Sequence, residues 1–151
     1  MEIIILFGSI LIVFIAFSIN SSNNKRKSDA FFENLKKETE DLRKQNEYDS
    51  MVREFYFEFF RNGKRYESDN NYSKAIEKYR LGLDYAVKEP TLKINNFAKS
   101  IHRLIILYGK TKQYEDLKNL LEESISNYPD YRDVGDWKTR LEKLNTKLNN
   151  Q

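Results

Sequence analysis

The sequence predicts an all-α chain. One N-terminal transmembrane helix should be followed by antiparallel helical hairpins, stacked as a short array and closed by a C-terminal capping helix. Three observations predict it. A run of 17 residues near the N-terminus carries no charge. From residue 49 onward, apolar side chains recur at three- and four-residue steps, the period of helices that bury one face. Only five glycines and two prolines interrupt 151 residues, while ten Tyr and ten Phe supply bulky packing groups.

Composition excludes several chemistries before any motif is read. The chain has no cysteine, so disulfide scaffolds, zinc-thiolate sites and thiol nucleophiles are ruled out. Lys and Arg number 26 against 23 Asp and Glu, a formal net charge of +3. That excess is too small, and too scattered, to point to nucleic acid. Five glycines cannot build a glycine-rich phosphate loop in the required pattern.

The first element is residues 3–19, IIILFGSILIVFIAFSI, whose only polar side chains are Ser9 and Ser18. As a helix it spans about 25 Å, the short end of a hydrocarbon core. A buried helix of a water-soluble domain would keep a polar stripe, and this one has none. A secretory signal peptide fits less well. The leading Met1-Glu2 is not basic, and no Ala-x-Ala-like cleavage site follows. Lys25, Arg26 and Lys27 come directly after the run, and nothing basic precedes it. The positive-inside rule then puts the amino end outside and the rest in the cytoplasm.

Residues 21–48 read as a basic linker and a juxtamembrane helix. SSNNKRK, 21–27, should lie at the lipid headgroups, and Ser28 or Asp29 should cap a helix reaching about Asn46. Phe31, Phe32, Leu35 and Leu42 give that helix a thin apolar side, interrupted by Thr39 and Asn46. It is expected to act as a spacer or packing helix, with self-association through it as the alternative.

Residues 49–151 carry the hairpins. A helix is expected from about Asp49 to Ser68, bearing Phe55, Phe59, Phe60 and Tyr66. Asp69-Asn70-Asn71 should turn the chain into a second helix from Tyr72 to about Lys88. Tyr72, Ala75, Ile76, Tyr79, Leu83 and Ala86 form its buried face, and Pro90 ends it. A third helix covers about 92–108, Gly109-Lys110-Thr111-Lys112 turns the chain, and a fourth runs from Tyr114 to Asn127, before Pro129. The last, about 133–148, sets Val134, Trp137, Leu141, Leu144 and Leu148 on a single stripe. One buried face opposite a charged one suits the end of a stacked array.

With these residues in place, the soluble part resembles the tetratricopeptide repeat family, whose 34-residue unit is a pair of antiparallel helices. Phe59, Gly63, Tyr66, Tyr72, Ala75, Tyr79 and Leu83 follow that family's spacing. Leu104, Tyr108, Tyr114, Leu121, Ile125 and Pro129 fall on equivalent places in the second hairpin. The departures are Ile105 in the place of Gly63, Leu117 in the place of Ala75, Gly82 where the family usually has alanine, and a 42-residue spacing from Tyr72 to Tyr114.

No catalytic constellation is legible, so the expected function is non-catalytic, without cofactor or metal. His102 is the lone histidine and has no ligand spacing around it. Glu115, Asp116, Glu122 and Glu123 lie among lysines as solvated helix faces, and the serines lack a base partner. No RNA-binding aromatic motif or helix-turn-helix signature is present. The resemblance implies instead a groove lined by the first helix of each hairpin, falling here on Phe60, Lys64, Glu67, Lys99, His102, Ile106 and Lys110. Its lysines would attract an acidic protein segment. Four phenylalanines, Phe55, Phe57, Phe59 and Phe60, are too many for one stripe, so some should pack on the 28–46 helix. The expectation is a membrane-anchored protein-interaction module or adaptor. The alternatives are a structural subunit of a membrane complex, or a secreted protein if the N-terminal segment is cleaved.

Overall fold

In the computed structural model the backbone is described for residues 2–150, and side chains for residue 25 and residues 27–150. All regular structure among the described residues is helical: α1 (Glu2–Ser68), α2 (Tyr72–Lys88), α3 (Ile94–Lys110), α4 (Tyr114–Asn127) and α5 (Val134–Asn149). The chain divides into two compact units, Met1–Glu47 and Tyr48–Gln151.

The expected breaks at 21–27 and 47–49 do not occur, because α1 runs through both. The reason is local. SSNNKRK contains no glycine or proline, and Ser and Asn cost only about 0.5 kcal/mol each in a helix. Extending an existing helix through them is easier than ending it and nucleating another. The apolar run 3–19 falls within α1, but its side chains lie outside the described residues. Among the described residues no helix is long and apolar enough to cross a membrane.

The hairpin turns share one geometry. Asn70 takes a left-handed conformation, φ 56°, after α1. The Asn71 N–H then reaches back to the Tyr66 carbonyl at 2.8 Å, and the Asn70 N–H to Glu67 at 3.0 Å. These are the paired bonds that close a helix in a Schellman turn. Forty-two residues on, Lys112 has φ 60°, Gln113 N–H donates to Tyr108 at 2.9 Å, and Lys112 N–H to Gly109 at 3.3 Å. The second turn therefore pivots on Lys112, and Gly109 and Lys110 belong to α3. Asn71 then caps α2, its side chain accepting from the Lys74 N–H at 3.3 Å.

In the second unit the end of α1 and α2 run antiparallel. Tyr48 meets Glu89, Phe55 meets Tyr85, and Gly63 faces Tyr79. At Gly63 an added Cβ would stand 2.6 Å from the Tyr79 ring, so a side chain there would push the helices apart. Among the described residues of α1, Val52 and Tyr56 are the deepest apolar groups, at 2% and 1% exposure. The expected stripe of Phe55, Phe59, Phe60 and Tyr66 lies beside them: Phe55 is exposed, and the other three are half-buried. Of the four phenylalanines, Phe55 and Phe59 lie against Tyr85 and Phe60 against Tyr79, while Phe57 stays exposed beside Tyr56. α3 packs on α2, α4 on α3, and α5 on α4. Leu104, Leu107, Leu120 and Leu121 fill the centre, and Trp137, 2% exposed, seals the far end by stacking on Tyr131.

Candidate protein-interaction site

Four of the seven expected groove residues line one cavity of about 380 Å³. Phe60 and Lys64 come from α1, and Lys99 and His102 from α3. Helical spacing explains the grouping, since positions four apart on α1 and three apart on α3 share a face. Phe60 and Ala98 form an apolar floor, and Arg103, Tyr131, Arg132 and Asp133 complete the wall. Those last residues escaped the sequence reading. Three of them come from the segment joining α4 to α5, whose return to α3 no local pattern announces.

The cavity is basic. Lys64 and Lys99 are exposed, and among the described residues neither forms an ion pair. Arg132 reaches Asp133 at 3.5 Å while lying over the Tyr131 ring at 5.8 Å. Lining cations thus exceed anions even when Asp133 is counted. A hollow of about 220 Å³ between α2 and α4 differs, because Arg80 and Lys88 are balanced there by Asp84 and Glu123.

The other three expected residues lie elsewhere. Glu67 is turned to internal work. It pairs with Arg103, whose Nε donates at 3.0 Å, and it accepts the Tyr79 hydroxyl at 3.1 Å. Its charge is spent on holding α1, α2 and α3 together, which removes the one acid expected in the groove. Ile106 is half-buried and outside the cavity lining. Lys110 sits against Tyr72 instead, its ammonium 4.1 Å from the ring centroid and donating to the phenol oxygen at 2.6 Å. Tyr72 in turn donates to Asn70.

That clasp recurs. Lys147 near the end of α5 lies 4.1 Å from the Tyr114 ring centroid and donates to its hydroxyl at 2.6 Å. Tyr72 and Tyr114 open α2 and α4, so the first residue of each returning helix is gripped by a lysine late in the following element. The sequence signal was present in the paired tyrosines but not in their lysine partners.

Burial sets the titration of the nearby phenols. The Tyr79 hydroxyl is pushed up to about 12, chiefly by burial and less by Tyr56. Burial also raises Tyr56, against the opposing effect of its hydrogen bond with Ser100. Among the described residues no three His, Asp or Glu side chains stand together to hold a metal ion. Comparison with protein-family models, curated proteins and solved structures finds no match to this chain.

Proposed function

We propose that this chain is a membrane-anchored, non-catalytic adaptor of tetratricopeptide-like build, whose α1–α3 cavity takes an acidic segment of a partner protein. The observation that carries this reading is the pair Lys64 and Lys99. Among the described residues they have no ion-pair partner, and they line a hollow floored by Phe60 and Ala98. Carboxylates of an extended segment would answer the two ammonium groups, and an apolar side chain between them would cover the floor. The repeat spacing of Phe59, Gly63, Tyr66, Ala75 and Tyr79 and the shared turn geometry at Asn70 and Lys112 support the family assignment.

The anchor rests on the uncharged run 3–19 and the basic Lys25, Arg26 and Lys27 behind it. Held at the cytoplasmic surface of a membrane, the module meets partners there at raised effective concentration, and no bond is made or broken.

Fluorescent peptides of one length and acidic, neutral or basic composition test the cavity when titrated against the detergent-solubilised full chain. The acidic peptide should bind best and weaken with salt, and Lys64→Glu/Lys99→Glu should abolish that preference. An affinity blind to peptide charge, or unchanged by the double variant, would sink the proposal. Alkaline extraction of membranes tests the anchor, since a spanning chain stays in the pellet.

A further inference from the structure

In the first unit, α1 leaves an apolar seam uncovered. Phe32, Leu35 and Leu42 are 63%, 41% and 60% exposed. With Thr39 and Asn46 they follow alternating steps of three and four, which makes 32, 39 and 46 the a positions of a heptad and 35 and 42 the d positions. Thr39 donates its hydroxyl to the Leu35 carbonyl at 2.8 Å, so its polar group is satisfied within the helix. Lys36 and Arg43 take the e positions, and Glu38 and Gln45 the g positions, with Phe31 at the g before them.

We infer that this seam is the contact face for a second copy of the chain, in a parallel, in-register, two-stranded coiled coil over residues 31–46. Charge placement selects the arrangement. In a parallel pair each g residue lies beside the e residue five positions later on the other helix. Glu38 then faces Arg43 of the second copy, twice by symmetry, and Phe31 meets the methylene stem of the second Lys36. An antiparallel pair would oppose e to e, setting Lys36 against Arg43. Arg43 also pairs with Glu47 of its own helix at 3.3 Å, but both side chains are more than two-thirds exposed, so that contact does little to hold it back.

Asn46 adds the register. An asparagine at an a position pairs amide to amide with its counterpart across a parallel, in-register dimer, whereas a one-heptad slip would leave it only the Thr39 hydroxyl, already donated to Leu35. Two heptads alone would be marginal in water. Here the seam lies inside a helix of 67 residues, so helix nucleation is already met. The seam involves none of the cavity residues, and the inference is independent of the function proposed above.

Because the chain has no cysteine, a single introduced one reports alone. In the full-length protein under mild oxidation, Leu42→Cys and Asn46→Cys should form disulfide-linked dimers. Lys37→Cys and Lys44→Cys, on the opposite f positions, should stay near background. Within the Leu42→Cys chain, Glu38→Arg or Arg43→Glu alone should lower the dimer yield, and the two together should restore it. Circular dichroism of each variant checks that the helix persists. Equal crosslinking at seam and f positions would overturn the inference, as would failure of the charge swap to restore the yield. Crosslinking confined to Thr39→Cys, near the seam's midpoint, would replace the parallel pair with an antiparallel one.

Discussion

Tyr56 on α1 and Ser100 on α3 are joined hydroxyl to hydroxyl at 2.7 Å in the buried interior of the second unit. Their side chains are 1% and 0% exposed, so neither oxygen has water as an alternative. Tyr56→Phe or Ser100→Ala alone should each cost about 1–3 kcal/mol, because each strands the other hydroxyl. The double variant should recover part of that loss. Denaturant unfolding of the four chains checks this, and strictly additive single losses would show the bond to be uncoupled.

Glycine has opposite values at two places. Gly63→Ala drives a methyl into the Tyr79 ring, which is fully buried and cannot retreat, and should destabilise by about 1–3 kcal/mol. Gly109→Ala meets nothing within 4 Å inside a helix and should stabilise by about 1 kcal/mol. Lys112→Gly should stabilise by a similar amount, since Lys112 holds the left-handed conformation at φ 60° that glycine accepts freely. Melting temperatures that rank these three variants otherwise would contradict the turn assignment.

Alkaline pH should loosen the second unit through Tyr79. Its phenol titrates near 12 in the folded chain, above the ordinary value of 10, so the folded state favours the protonated form. The stability this contributes is fully present below about pH 10 and is lost as pH rises through about pH 12. Tyr79→Phe should show a smaller drop in melting temperature across that window than the wild type, although it starts lower for want of the bond to Glu67. Equal slopes for the two chains would remove Tyr79 as the cause.

A substitution at Lys110 distinguishes a structural lysine from the pair proposed to bind. Lys110→Met should cost about 0.5–1 kcal/mol by releasing the Tyr72 ring, and leave acidic-peptide affinity as it was. Lys64→Glu/Lys99→Glu should do the reverse. A fall in peptide affinity in Lys110→Met would extend the binding surface to the α3 terminus.

Helix identity was legible wherever strong punctuation met strong periodicity. Tyr72–Lys88 and Tyr114–Asn127 have the bounds expected from the Asn70-Asn71 turn, Pro90 and Pro129. Of the expected stripe, Val134, Trp137 and Leu144 are buried, while Leu141 and Leu148 toward the chain end are half-buried. Where punctuation was weak the reading failed. SSNNKRK looked like a linker because it is polar, but polarity does not stop a helix unless the backbone also changes direction.

Local spacing by itself determined the all-helical class, the placement of α2 and α4, and the grouping of Phe60 with Lys64 and of Lys99 with His102 on their helix faces. Tertiary structure alone decided which apolar residues of α1 in the second unit are buried, because packing against α2 and α3 selects Val52 and Tyr56 over Phe55. It likewise assigned Glu67 to Arg103, bound Lys110 to Tyr72, and brought Tyr131 and Arg132 to the cavity wall. Periodicity reports the direction a side chain leaves its own helix. What it meets there depends on residues tens of positions away, and only packing settles that.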